Sequence, residues 1–198
     1  INAFLGVTKI LAGIFGRSSA MVADGVHSLS DFVSDIIVIV FVGISRKKAD
    51  DNYQYGHGKY ETFATLLMAV LLGVVAVMFL IDGVETITDT LRGATLPAPT
   101  WLALSMGVLS IVSKEWLYHY TKRTGEAISS AVVIANAWHH RSDALSSLAT
   151  VAGVAGAMFL GPRWRILDPF AAVIVSVFIM VVAMGIGRTA VRELLEAA

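Results

Sequence analysis

His27 and Asp31 stand four residues apart, and His139 and Asp143 repeat that spacing far downstream. In a helix, residues four apart share a face, with Cβ atoms about 5–6 Å from one another. Each H-x-x-x-D pair therefore presents one imidazole and one carboxylate on the same side of its helix. If the two faces meet, two nitrogens and two oxygens can close a tetrahedral shell whose carboxylates neutralise a divalent cation. A donor set that is not all oxygen disfavours Ca²⁺ and Mg²⁺, and the lack of thiolate disfavours Cu⁺. Zn²⁺ fits these donors best, with Fe²⁺, Co²⁺, Mn²⁺ and Cd²⁺ left open.

The setting of these residues is oily. Of the 198 residues, 56% are hydrophobic and 15% charged, against about 25% charged in a soluble domain. Residues 63–81, 144–162 and 169–187 carry no charge at all. Each is close to the roughly 20 apolar residues that a helix needs to cross a hydrocarbon core about 30 Å thick. Residues 97–113 form a shorter candidate, 1–16 are interrupted only by Lys9, and 20–44 carry the first histidine and its neighbouring acids. The fold class that follows is an all-α membrane protein, a bundle of six transmembrane helices over residues 1–190. The helices are expected at about 1–16, 18–45, 60–89, 99–121, 126–160 and 168–190.

Turn chemistry marks the breaks. "GRSS" offers a glycine turn and serine caps for the second helix, and "LRGATLPAP" separates the third from the fourth. "TKRTGE" is read as the connection between the fourth and fifth helices. In "LDPF", Asp168 can cap the sixth helix, with Pro169 in its first turn.

Composition also excludes function classes. No cysteine is present, so disulfides, thiolate metal sites and cysteine nucleophiles are absent. The formal net charge is zero, which is no footprint for nucleic acid. Arg46, Lys47, Lys48, Lys59, Lys122, Arg123, Arg188 and Arg192 fall on one side of the expected bundle, and Arg17, Arg92, Arg163 and Arg165 on the other. That bias puts both termini in the cytoplasm. The first residue is not methionine, and "VRELLEAA" reads as an amphipathic beginning. Residues 191–198 are accordingly expected to start a linker to a cytoplasmic C-terminal domain.

Inside the membrane, Asp24 and Asp35 extend the stripe of His27 and Asp31, while Asn136, Ser147 and Thr150 extend that of His139 and Asp143. One buried polar group could merely join two helices by a hydrogen bond. Four convergent ones are costly, since insertion scales charge about 2.5–3.5 kcal/mol for each ionised group at the bilayer centre. His140 points away from His139 and is given a packing or access role. Arg141, further round the helix, is expected to pair with an acid.

"ADGVHSLSD", "YGHGKYE", "HHRSDALSS" and "LDP", in this order, resemble the membrane domain of the cation diffusion facilitator family. The resemblance runs over essentially the whole chain. It implies that His27, Asp31, His139 and Asp143 bind the transported metal, with histidine in both helices pointing to zinc. It also implies a homodimer in the cell membrane and proton-coupled export from the cytoplasm. Some bacterial members hold a second metal in the loop after the second helix; here Asp50 and His57 match two of its ligands, but Tyr53 replaces the middle histidine. Two ligands make a weak site at best, and the loop's lysines suit anionic headgroups.

Two other classes compete with a transporter. An intramembrane metalloenzyme would need an open coordination position and a general base, which a four-ligand shell does not leave. A channel needs weak or multiple sites so that ions leave quickly. The reading is therefore a secondary transporter with ion binding between the second and fifth helices, not an enzyme.

Overall fold

The computed structural model describes residues 2–45, 58–128 and 131–196. Among them are six α-helices: α1 (Asn2–Gly16), α2 (Ser19–Ser45), α3 (Gly58–Leu91), α4 (Trp101–Ala127), α5 (Ala131–Phe159) and α6 (Leu167–Glu196). A short 3₁₀ turn, Pro162–Ile166, precedes α6, and the described residues contain no strand.

Among the described residues, three segments, Thr65–Leu91, His140–Phe159 and Pro162–Leu195, are long and apolar enough to cross a bilayer. Helix α1, at 15 residues, is shorter than such a span, and α4 carries Lys114 and Glu115 in the middle of its length. Leu67, Val70, Leu71, Val74 and Met78 on α3 are at least half exposed, as lipid-facing residues would be.

Helix α2 packs against α1, α3, α5 and α6, while α4 lies along α5 and α3 along α6. One apolar cluster joins Ala20 and Ala23 of α2, Leu72 and Ala76 of α3, and Ala171, Ala172, Val175, Ile179 and Ala183 of α6. Small side chains predominate because helices in lipid gain from close backbone approach, with no water to expel between them. At Gly25 and Gly153, among other glycines, that approach admits no side chain. A Cβ on Gly25 would sit 2.8 Å from the backbone nitrogen of Ile10 and 3.0 Å from Lys9 Cβ. A Cβ on Gly153 would collide with Ala171 and the carbonyl oxygen of Leu167. The first contact sets α1 against α2, and the second sets α5 against α6.

The α1–α2 turn shows how the ends are held. Arg17 adopts a left-handed φ of 55°, which stops α1 and turns the chain. Ser18 Oγ then accepts a hydrogen bond from the Met21 amide at 3.1 Å, capping α2 as the serines suggested. Asp168 departs from its expected role of capping α6. Its carboxylate instead accepts from Ser18 Oγ at 2.5 Å and from the Ser19 amide at 2.8 Å. The reason is positional: Asp168 already lies in the first turn of α6, so its side chain serves the unpaired amide of a neighbouring helix end.

Helix α4 also runs on to Ala127, through the "TKRTGE" stretch read as a connection. Thr124 Oγ1 donates to the Tyr120 carbonyl at 2.9 Å and Lys122 faces Glu126 at 3.9 Å, one turn apart. A single glycine costs a helix only about 1 kcal/mol, so these local contacts carry it past Gly125.

Candidate metal centre

Helix α2 places His27 and Asp31 on one face, with Nε2 and Oδ2 3.9 Å apart. Helix α5 brings Asp143 to them. One donor atom from each of His27, Asp31 and Asp143 lies within 4.8 Å of the others. His27 and Asp143 are almost entirely buried, at 3% and 2% exposure, and Asp31 is partly so. The His27 ring meets Phe178 of α6 edge-on, with centroids 5.6 Å apart, so an apolar side chain covers the imidazole.

An imidazole and two carboxylates gathered in a dry interior can hold a divalent ion of the transition series. The expected fourth ligand, His139, lies on α5 one turn before Asp143; its side chain is outside the described residues, as are those of Asp35 and Asn136. The loop positions Asp50, Tyr53 and His57 are outside them as well.

Two lysines complete the polar interior, and neither was singled out by its sequence pattern. Lys114 of α4 sets Nζ 3.1 Å from Asp143 Oδ2, with side chains 1% and 3% exposed. Lys9 of α1 sets Nζ 2.8 Å from Asp24 Oδ2, and both side chains have no exposed surface. Lys9 also donates to Ser28 Oγ and Ser147 Oγ, each at 3.1 Å. Ser147 in turn donates to Asp24 Oδ1 at 3.1 Å, which closes a ring of polar groups from α1, α2 and α5. Asp24, expected to lengthen the ligand stripe, is therefore engaged by Lys9. Its nearest strong partner is an ammonium, and burial makes that pairing obligatory. The signal that could have found both lysines was available: an ionisable residue inside an apolar segment marks a functional position by default.

Arg141 also departs from expectation. Its Nη1 donates to Tyr118 Oη at 3.1 Å, and its guanidinium lies 4.8 Å from the Tyr118 ring and 5.5 Å from the Trp138 ring. A weakly hydrated planar cation stacks well on aromatic faces, and among the described residues two rings, not an acid, hold it. His140 is buried at 7% exposure. Thr150 is wholly buried too.

Comparison with known proteins agrees with this architecture. The model of the cation efflux transmembrane domain matches residues 1–195. The manganese efflux system protein MneP of Bacillus subtilis is 35% identical over 199 residues, covering 98% of this chain and 65% of that protein. Metal tolerance protein C1 of Arabidopsis thaliana is 35% identical over 206 residues, covering 98% of this chain and 43% of that protein. Magnetosome protein MamB of a Magnetospira species is 30% identical over 190 residues, covering 95% of this chain and 62% of that protein. The chain thus spans between 43% and 65% of the lengths of these relatives. With its six-helix bundle and a family match from end to end, the chain belongs to the cation efflux family, as the transmembrane domain of that family.

Proposed function

We propose that this domain carries divalent transition-metal cations across the cell membrane by secondary transport, exporting them from the cytoplasm. The observation that carries the reading is the convergence of His27, Asp31 and Asp143 in the buried interface of α2 and α5. His139, on the same helix as Asp143, is assigned as the fourth ligand by its spacing. Helices α2 and α5 then rock about the fixed site to open it to either side. Asp50 and His57 contribute no tight site, since a third ligand is replaced by Tyr53.

Zn²⁺ is proposed as the cargo because two imidazoles and two carboxylates suit a borderline-soft tetrahedral ion. The name of the Bacillus relative supports Mn²⁺ as the competing cargo, and Fe²⁺, Co²⁺ and Cd²⁺ share the coordination chemistry. Protons are the proposed counter-ions. Imidazole and carboxylate must both be deprotonated to bind metal, so protons and metal compete for the same atoms. A homodimer with cytoplasmic termini completes the proposal, the orientation resting on the distribution of basic residues.

The test is uptake into liposomes of the purified protein. Zn²⁺, Mn²⁺, Fe²⁺, Co²⁺ and Cd²⁺ are offered separately while luminal pH is followed. Saturable Zn²⁺ uptake with opposite proton movement is expected. Uptake without proton movement would indicate a channel, and preferential Mn²⁺ uptake would replace zinc as cargo.

A further inference from the structure

We propose that Lys114 is a tethered counter-ion of the metal site: it holds Asp143 while the site is empty and is driven off when a metal ion binds. The inference rests on the metal-transport reading above and names a residue that would set how tightly and how long the ion is held.

The geometry is direct. Lys114 Nζ is 3.1 Å from Asp143 Oδ2, and Asp143 is one of the three groups that converge within 4.8 Å. The ammonium therefore sits at the edge of the space that the cargo would fill. Both side chains are all but inaccessible to solvent, so little water screens one charge from another. A metal bound to Asp143 at about 2.0–2.2 Å would be only a few ångströms from this ammonium. Two like charges that close in a poorly screened interior repel strongly.

Charge balance points the same way. Among the described residues, Asp24, Asp31 and Asp143 against Lys9 and Lys114 give the empty cluster one formal negative charge. A divalent ion added with every group in place would turn that into one positive charge. Withdrawing the Lys114 head group from Asp143 relieves the excess where the ion sits. Lysine is suited to this, with a compact ammonium on a flexible four-carbon stem. Lys9 differs in the way it is held. Asp24, Ser28 and Ser147 clamp it across two helices, whereas the ion pair of Lys114 is to a candidate ligand itself.

The arrangement answers a difficulty of any closed four-ligand shell, which holds its ion too firmly for turnover. When Lys114 returns to Asp143 it replaces one metal–ligand bond with an ion pair, and the ion leaves. Lys114 thereby weakens binding and speeds release.

The test is calorimetric titration of Zn²⁺ into purified protein at one pH, for wild type, Lys114→Met, Lys114→Gln and Lys114→Arg, alongside initial uptake rates in liposomes. If the ammonium occupies Asp143 nine-tenths of the time, removing it should tighten the apparent Kd about tenfold, because the competent fraction rises from about 0.1 to 1. Maximal uptake should fall severalfold in the two neutral variants as release slows. Lys114→Arg keeps the charge and should keep wild-type affinity. Unchanged or weaker binding in folded Lys114→Met or Lys114→Gln would overturn the proposal and leave Lys114 a strut between α4 and α5. If neither neutral variant folds, wild type decides. Zinc-induced infrared difference spectra of protein with ¹⁵N-labelled lysine should show an ammonium losing its carboxylate partner, and no lysine band would overturn the proposal. Wild-type protein that binds no metal would defeat the transport reading, which separates that failure from this one.

Discussion

Lys9 Nζ lies 2.8 Å from Asp24 Oδ2, an ion pair between α1 and α2 with no exposed surface on either side chain. Ser28 and Ser147 satisfy two more of the ammonium's hydrogens, so the pair also fastens α5. Such a cluster is stable only when complete, since a charge left alone in an apolar interior has nothing to replace its hydration.

Removing one member should therefore cost more than removing both. Lys9→Met or Asp24→Leu alone should destabilise the protein by about 3–5 kcal/mol, and the double variant by much less. Thermal unfolding in detergent checks this, and additive losses would show that the pair is not coupled.

The same reasoning governs how the ligands should be probed. His27→Ala removes the imidazole donor and Asp31→Ala removes one of the two carboxylates. Asp143→Ala would leave Lys114 buried without its carboxylate, so Asp143→Asn is the cleaner variant. Each of the three should weaken zinc binding by more than the roughly 10–100-fold typical of residues that only support a ligand. The melting temperature should stay near wild type for His27→Ala and fall for Asp143→Asn, whose neutral amide leaves the buried Lys114 ammonium without a counter-charge. Titration calorimetry with parallel melting curves checks both parts, and near-normal binding in two of the three would sink the site.

Selectivity should follow the donor atoms. His27→Asp exchanges a nitrogen for an oxygen and adds negative charge, which should favour Mn²⁺ over Zn²⁺ relative to wild type. A competition assay with both metals present reads the change in rank. An unchanged ratio would count against coordination through the His27 ring.

Proton competition has a definite sign. Ligands must lose their protons to bind metal, so affinity should fall as pH falls. Where one proton is displaced per ion, the apparent affinity drops about tenfold per pH unit, and where two are displaced about a hundredfold. Zinc titrations between pH 5.5 and 7.5 give the slope. Exchange of one divalent ion for one proton also moves net charge, worth about 2.3 kcal/mol per 100 mV, whereas two protons make transport electroneutral. Uptake measured with an imposed potential separates the two, and a flat affinity across this pH range would exclude exchange through the ligands.

Much of this was legible in the one-dimensional pattern. Long uncharged runs specify helices long enough for a bilayer, because an unpaired backbone group in hydrocarbon leaves a chain few other options. The four-residue spacing of His27 with Asp31, and of His139 with Asp143, puts each pair on one helical face whatever the bundle does around it. What the spacing could not decide is which polar groups meet across helices. Lys9 looked like a flaw in an apolar run and Lys114 like the end of one, yet the packing of α1 on α2 and of α4 on α5 buries each against an aspartate. Among the described residues Arg141 meets two aromatic rings and not an acid, and Asp168 serves the amide of another helix. Local periodicity is a property of neighbours in the chain, readable from the order of residues. A buried charge takes its partner from whatever the fold brings within about 3 Å, and that distance is set only when the helices have packed.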